Sequence, residues 1–269
     1  MEGPPRRNGE DDTDKKHTGD YLAEKLIAQI KKVGVKYIAA IGSDNTGNTK
    51  KARRLVAAEF PTIINFSDPI HHMNLMIGDI TSLPEFQDIV EKVKRILTYF
   101  NKSWAATSVL AEKRAEQGIG RGLEKIGKTR FATVWRGSNS IQNSLPLIRE
   151  LVENGEIAVK EVNEIFKERS AALNFEIELI KYNSIIAPVA HSIKSLESTQ
   201  TTPADVYIFW LAIAASIKEY LGKGSNVTRI SNTLAEKITK IINTRYRAFI
   251  DHSPDDIYFT AFFLHRCRS

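Results

Sequence analysis

Two short apolar segments near the start of the chain, each preceded by a helical pattern, constrain the fold most strongly. The first helical pattern covers residues 18–34 and leads into the partly β-branched segment Val35–Ile41. A second helix over Thr49–Phe60 leads, after Pro61, into a second strand over residues 62–66. Because helix and strand alternate, we expect a parallel α/β unit.

After Asp68 the apolar periodicity is helical, and almost no strand signal remains. Helices are predicted over residues 84–100, 104–117, 138–152, 159–169, 173–196, 203–221 and 230–247. The start of one of them is marked by Thr202 as N-cap, Pro203 at the first helical position and Asp205 in the first turn. Glycines between residues 118 and 137 interrupt the pattern and indicate a boundary there.

The expected fold class is therefore α/β plus all-α, with an α/β-led part over residues 18–117 and a helical part over residues 118–269. Residues 1–17 are polar and rich in acids, so we expect a disordered tail and neither a secretory signal nor a transit peptide. No apolar run approaches the roughly 18 residues of a membrane span. The single cysteine, Cys267, excludes a disulfide framework or a thiolate metal cluster and favours a reducing, intracellular setting.

The chain carries a net charge of +6, and most of that surplus lies in one window. Between Glu112 and Arg136 there are seven basic and three acidic residues, a surplus of four. Clustering of this kind is typical of contact with a phosphate backbone. A solvated helix face explains the same charges, and both interpretations stay open at this point.

The segment Ile41–Lys50 places polar groups directly after the first predicted strand, where open α/β sheets bind ligands. Three of its positions match a phosphate loop: Gly42, Gly47 and Thr49. Asn48 stands where that motif has lysine, and Asp44 places a carboxylate against the phosphates, so this interpretation is weak. Asp44 is either a ligand of a divalent metal ion or part of a turn that caps the next helix.

Asp68 and His71 lie three residues apart and therefore share one side of a helical turn. A pair with this spacing is common. The simplest interpretation is a capping aspartate followed by a surface histidine.

Taken together, four short motifs resemble the hAT superfamily of DNA transposases, in particular a fungal branch that contains a domain of unknown function. In chain order they are the strand and its end, Val35–Asn48; Asp68-x-x-His71-x-x-Asn74-Leu75 with Asp79-Ile80; Thr129-Arg130-Phe131-Ala132-Thr133; and Asp251-x-Ser253-Pro254-x-Asp256-x-Tyr258-Phe259-x-Ala261. The resemblance covers roughly residues 18–264, and it rests on the order and spacing of these motifs.

The resemblance implies a ribonuclease-H-like core, partial in residues 18–117, followed by a helical insertion domain, incomplete in residues 118–269. It implies Mg²⁺-dependent cutting and joining of transposon DNA in the nucleus. Asp44 corresponds to the second carboxylate of the family's acidic triad and to a metal ligand, and Asp68 and His71 to its paired aspartate and histidine. The family's arginine and base-stacking tryptophan fall on Arg130 and Phe131, and phenylalanine still offers a ring for stacking.

The departures from the family pattern concern catalysis. The first catalytic aspartate and the final glutamate have no counterpart in this sequence, which leads us to expect a chain truncated at both ends. A single retained aspartate makes a weak Mg²⁺ site, so we expect no stable Mg²⁺ binding and no independent cleavage. The missing strands also leave a sheet edge open, which favours association between copies of the chain. We also expect the two-stranded sheet to be less stably ordered than the helical part.

The leading hypothesis is a transposase-derived DNA-binding protein. Its DNA contacts are expected from one cluster of residues: Arg121, Lys125, Lys128, Arg130, Phe131, Trp135 and Arg136. For the two aromatic residues, packing in the core remains an equal alternative. Two other hypotheses are a fragment of an active transposase and a helical interaction module that uses an apolar stripe along residues 206–220, although such a stripe is more typical of a core.

Overall fold

The computed structural model describes residues 18–127, 130–157, 164–166, 168–251 and 256–265. These residues are mostly helical and contain one sheet of two parallel strands. The predicted tail over residues 1–17 lies outside them. Within these ranges, every helix falls short of the length and apolar character that a membrane span requires.

The first compact unit ends at Asp68 and follows the predicted order of helix and strand. It contains α1 (Gly19–Val33), β1 (Ala40–Ser43), α2 (Gly47–Glu59) and β2 (Ile64–Ser67). The strands are parallel, with Ala40 opposite Ile64 and Ser43 opposite Ser67, so the predicted parallel pair is confirmed. Ile30, Val56 and Ile63 form its buried core.

The first strand begins later than predicted, at Ala40 instead of Val35. Gly34 ends α1 with a φ of 102°, and residues Val35–Tyr37 form a 3₁₀ turn in which the Tyr37 amide donates to the Gly34 carbonyl at 3.0 Å. Val35, Ile38 and Ile41 all pack against the core cluster. Their spacing of three suits a 3₁₀ turn as well as a strand, and periodicity in so short a segment does not separate the two.

The second compact unit begins at Pro69 and is helical in the residues described. Its helices are α3 (Pro69–Thr81), α4 (Pro84–Lys102), α5 (Trp104–Glu116), α6 (Ala132–Glu153), α7 (Arg169–Leu196), α8 (Pro203–Gly222), the single turn α9 (Ser225–Thr228), α10 (Asn232–Tyr246) and α11 (Ile257–Leu264). A π-helical turn, Arg247–Asp251, follows α10. Helix α7 is central, since it packs against α3, α4, α6 and α8 and buries Leu179, Ile185, Ile186 and Val189 completely.

The division into compact units falls after Asp68, whereas the glycines predict a boundary near residues 118–137. Helices α3, α4 and α5 pack against later helices and belong to the helical unit. The glycine-rich segment after α5 also contacts the helical unit, because the Glu124 amide donates to Ser140 Oγ at 3.0 Å. Glycines interrupt a helix without ending a domain. The correspondence of this unit to the family's insertion domain, and of the first to a ribonuclease-H-like core, stays a prediction.

Most predicted helices are confirmed with small changes at their ends. The capping box at Thr202 and Asp205 is present, as predicted. Helix α6 starts at Ala132, six residues before the predicted start at Ser138. The helix predicted over residues 159–169 lies mostly outside the described residues. The apolar stripe of α8 packs inside the unit, with Trp210, Ile213 and Ile217 buried, so it is core and not a free partner surface.

Candidate nucleic-acid interface and strand-end carboxylates

Asp44 and Asp68 lie at the same edge of the two-stranded sheet. Each directly follows the last residue of its strand, and those residues, Ser43 and Ser67, are paired in register. The Asp68 amide extends this pairing by donating to the Ser43 carbonyl at 2.8 Å. Because the strands are parallel, both aspartates occupy the carboxyl ends of the strands, where α/β sheets bind ligands.

Arg53 of α2 holds the turn after β1 in place. It is only 4% exposed. Its Nη1 donates to the Ser43 carbonyl at 3.0 Å and to the Asp44 carbonyl at 2.5 Å, its Nη2 to Asn45 Oδ1 at 2.7 Å, and its Nε to Asn65 Oδ1 at 3.0 Å. One guanidinium thus fixes the backbone of β1, the turn that follows it and the side chain of a β2 residue. Sequence reasoning did not single out this arginine, since nothing local to Arg53 shows which acceptors the fold brings to it.

The Asp44 carboxylate is engaged at the start of α2. Its Oδ1 accepts from Thr49 Oγ1 at 2.6 Å and from Thr46 Oγ1 at 3.3 Å. This is the turn-and-cap arrangement that the sequence left open as one role of Asp44. The phosphate-loop interpretation is wrong, because Gly42 lies inside β1 against the Phe66 ring and the Thr49 hydroxyl is bound to Asp44.

Asp68 is the last residue of the first unit, and His71 lies in the first turn of α3 in the second. His71 is half-buried, and its ring meets that of His72 edge to face with centroids 6.1 Å apart. His72 is buried and packs on Phe249, with centroids 4.7 Å apart. The structure thus gives the His71 side chain an aromatic environment, which the sequence did not indicate.

The described residues do not supply a complete site for a magnesium ion. Across these ranges, no group of three or more His, Cys, Asp or Glu side chains is arranged to hold a metal ion. At the strand ends Asp44 and Asp68 offer two carboxylates, and Asp44 already accepts two hydroxyl hydrogen bonds. Two-ion chemistry needs more ligands than these. The family's Mg²⁺ therefore stays a prediction for this chain.

The predicted basic cluster lies on the irregular segment between α5 and α6 and on the first turns of α6. Arg121 and Lys125 are exposed on that segment, and Arg136 is half-buried on α6. Arg130 is exposed, with Nη1 3.7 Å from Glu197 Oε1. Lys128 lies outside the described residues. Of the four described cations, three are exposed and one is half-buried, so a polyanion can reach them.

Phe131 and Trp135 take different environments although they are one helical turn apart. Phe131 is 45% exposed, and its ring lies where a Cβ on Gly78 of α3 would come within 2.9 Å. Trp135 is 9% exposed and meets His191 edge to face, with centroids 4.9 Å apart. Trp135 therefore packs in the core, the alternative left open for it, while Phe131 presents a ring to solvent.

Phe131 lines a groove of about 900 Å³ on the helical unit. Arg130 and Gly127 lie beside it, and Thr81, Ser82, Gln87, Glu91 and Lys94 add polar groups from α3, α4 and the turn between them. Lys94 lies far from Arg130 in sequence, and no local pattern connects the two. The groove combines an aromatic ring, two cations, one carboxylate and hydroxyl and amide groups, a set that can contact both a base and a phosphate.

Two side chains hold the turn before α6 in place, and both belong to the motifs that resemble the hAT transposases. The Ala132 amide, at the first position of α6, donates to Asn74 Oδ1 of α3 at 3.2 Å. Thr133 Oγ1 accepts from the Gly127 amide at 2.8 Å and donates to the Arg130 carbonyl at 2.6 Å. These contacts set the position of Arg130 and Phe131 relative to α3.

Residues 9–96 match the model of a family described as a domain of unknown function, DUF659. That family is found in hAT-like transposases. The matched stretch includes Asp44, Asp68, His71 and Asn74, and it ends before the basic segment. A comparison with curated proteins yields no match. Over these residues the chain is therefore similar to a transposase-related family.

Proposed function

We propose that this chain is a transposase-related, nuclear protein that binds DNA through the groove around Phe131. The half-exposed Phe131 ring, seated on Gly78 and flanked by Arg130, carries the proposal. The similarity to a family found in hAT-like transposases supports DNA as the nucleic acid.

Phe131 is suited to stack on an unpaired base. Its ring is held against α3 on one side and open on the other, so little side-chain freedom is lost when a base binds. Stacking of a base on an aromatic side chain contributes about 1–3 kcal/mol and tolerates any base. The groove is therefore expected to prefer single-stranded or distorted DNA and to show little sequence preference.

The cations around the groove provide the electrostatic part of binding. Arg130 and Lys94 lie in the groove, and Arg121 and Lys125 are exposed on the segment before α6. Each phosphate that they neutralise releases condensed counterions, so affinity should fall steeply with added salt. Glu91 also lines the groove, and its carboxylate repels phosphate. We therefore expect a base, and not the DNA backbone, to lie next to Glu91.

The proposed activity is binding without cleavage by this chain. Asp44 serves the turn that begins α2, and the strand ends offer two carboxylates. The alternative, a fragment of an active Mg²⁺-dependent transposase, differs in a measurable way. Cleavage of terminal-repeat DNA in Mg²⁺ or Mn²⁺ that Asp44→Ala abolishes would support the fragment and contradict the proposal.

Fluorescence anisotropy with a labelled single-stranded oligonucleotide tests the binding surface. Phe131→Ala should weaken binding roughly 5- to 150-fold, the equivalent of the stacking energy. Phe259→Ala is the matched control, because Phe259 is 47% exposed and lies on α11, away from the groove residues in sequence. Equal losses in the two variants, or none in Phe131→Ala, would contradict the proposed stacking.

The salt dependence of the same titration tests the charges. Arg130→Gln should make the plot of log affinity against log salt concentration less steep, by about the contribution of one phosphate contact. Arg169→Gln changes an exposed arginine at the start of α7 and should leave the slope as it is. A wild-type affinity that does not change between low and high salt would exclude a DNA-backbone surface here.

A further inference from the structure

A second cleft of the helical unit lies along α5, between α4 and the segment Gly122–Lys125, and encloses about 400 Å³. Its floor is apolar, formed by Leu97, Phe100, Leu110 and Leu123. Trp104 and Arg114, near opposite ends of α5, both line it. Clefts of this size with an apolar lining and a few polar groups are typical of small-molecule sites.

Arg114 is a buried cation in this cleft. It is 5% exposed, and within the described parts of the chain neither a carboxylate nor another acceptor bonds its guanidinium. Its Nε is buried without a hydrogen-bond partner there, and its Nη1 lies beside Gly122, 3.5 Å from where a Cβ would stand. Burial lowers the pKa of the Arg114 guanidinium. Arginine nevertheless stays charged in proteins, and a buried charge is costly unless it is paired. An anion bound in the cleft would therefore be stabilised by Arg114.

Trp104 stands at the first position of α5 with 83% of its surface exposed. The other two tryptophans, Trp135 and Trp210, are buried. Leu110 and Arg114 share one face of α5, because they are four residues apart, and Trp104 lines the same cleft from the first turn of the helix. Ten residues of helix separate Trp104 from Arg114, a rise of about 15 Å. Long side chains on helices generally point back towards the helix N-terminus, so we expect the Arg114 guanidinium to lie nearer to Trp104 than this rise indicates.

We propose that this cleft binds a small carboxylate with an extended apolar body that ends in an aromatic ring. The carboxylate pairs with Arg114, the body lies on the apolar floor, and the ring rests on Trp104.

The observations favour a carboxylate over a nucleotide at this site. A guanidinium fork matches the two oxygens of a carboxylate and gains strength in an apolar surrounding. A nucleotide carries a polar ribose, which the apolar floor of the cleft would bury without hydrogen-bond partners. The distance along α5 favours a ligand on the order of 10 Å from ring to carboxylate, given the helical rise.

Four ligands of matched shape or charge test the proposal by calorimetric titration of the whole chain. They are 6-phenylhexanoate, the uncharged 6-phenylhexan-1-ol, acetate and adenosine monophosphate. We expect 6-phenylhexanoate to bind at least tenfold more tightly than the alcohol, because only the acid neutralises Arg114. We expect acetate to bind too weakly to measure, since it lacks the body. Emission of the exposed Trp104 should shift to the blue with 6-phenylhexanoate.

Variants assign the contacts. Arg114→Met should bring the affinity ratio of acid to alcohol close to one, whereas Arg54→Met, a change in an exposed arginine of α2, should preserve it. Trp104→Leu should weaken acid and alcohol alike by about fivefold and remove the emission shift. The ratio is internal to each variant, so a change in stability does not imitate it.

Three outcomes would overturn the proposal. They are equal wild-type affinities for acid and alcohol, a ratio that survives Arg114→Met, and the absence of saturable binding by 6-phenylhexanoate. Adenosine monophosphate that competes for the cleft and binds more tightly than 6-phenylhexanoate would replace the carboxylate with a nucleotide and overturn the assigned class. None of these results depends on the DNA groove at Phe131, so the two proposals fail separately.

Discussion

Asn74 on α3 accepts a hydrogen bond from the backbone amide of Ala132, 58 residues later, with a distance of 3.2 Å between Oδ1 and N. The bond satisfies the first amide of α6 with a side chain from another helix, because α6 has no side-chain cap of its own. It also joins two of the motifs on which the resemblance to transposases rests, and it sets where Phe131 stands.

Replacing Asn74 should therefore affect both stability and binding. Asn74→Ala removes the acceptor and should lower the free energy of unfolding by about 0.5–2 kcal/mol, as for a lost helix cap. Asn74→Asp keeps an oxygen acceptor and adds a charge that a helix N-terminus favours, so it should stay close to wild type. Urea denaturation and the oligonucleotide titration check both. If Asn74→Ala matched wild type in both, the tertiary cap would have no energetic role.

The contact between Gly78 and Phe131 makes a second prediction. A Cβ at Gly78 would stand 2.9 Å from two ring carbons of Phe131, so Gly78→Ala should displace the ring. Overpacking costs about 1–3 kcal/mol and the gain in helix propensity returns at most about 1, so we expect a net loss of stability. DNA affinity should fall as well.

Gly222→Ala is the control for Gly78→Ala, because nothing lies within 4 Å of its Cβ position at the end of α8. Thermal unfolding should show no loss for that variant. Should Gly78→Ala prove as stable as Gly222→Ala and bind DNA normally, Phe131 is not seated on α3 in solution.

Asp44 provides a test that separates a turn residue from a metal ligand. In the wild type the Thr49 hydroxyl donates to Asp44 Oδ1 at 2.6 Å. Asp44→Asn keeps an oxygen acceptor for this hydroxyl and should be well tolerated. Asp44→Ala loses it and should cost about 1 kcal/mol. If the role of Asp44 is the turn, millimolar Mg²⁺ should shift the melting temperatures of wild type and Asp44→Asn equally. A Mg²⁺-dependent stabilisation that only the wild type shows would establish Asp44 as a ligand.

Tyr182 makes the stability depend on alkaline pH. Its side chain is completely buried on α7, its hydroxyl lies 2.9 Å from Thr81 Oγ1, and burial raises its pKa from 10 to about 12. The unfolded chain releases this proton near pH 10, whereas the folded chain keeps it until about pH 12. The unfolded state thus binds fewer protons in that window, and the free energy of unfolding falls as pH rises, by about 3 kcal/mol in total.

Tyr182→Phe should flatten this decline between pH 10 and 12, while Tyr37→Phe, a change in an exposed tyrosine, should not. Part of the decline should remain, because burial also raises the pKa of Tyr246 to about 12. Urea denaturation at a series of pH values measures it. A decline of equal size in wild type and Tyr182→Phe would mean that the Tyr182 hydroxyl is accessible in the folded chain.

Local patterns predicted the elements of this protein well. Apolar residues three and four apart marked the helices, and Thr202, Pro203 and Asp205 marked a helix start, because these signals act within one or two turns. The same locality explains the errors. The first strand starts at Ala40 because Val35–Tyr37 forms a 3₁₀ turn that apolar spacing does not separate from a strand. Helix α6 starts at Ala132 because its cap comes from Asn74, on another helix.

The sequence by itself determined that the chain has a helix–strand–helix–strand start, a long helical remainder and a positive surplus before α6. It also placed Asp44 and Asp68 after strands. Only the tertiary structure decided that Trp135 is buried while Phe131 is open, that Arg53 holds the turn at Asp44, and that Arg114 is a buried cation in a cleft. These depend on contacts between residues far apart in sequence, and whether a side chain is exposed or paired is a property of the packed neighbours and not of the local pattern.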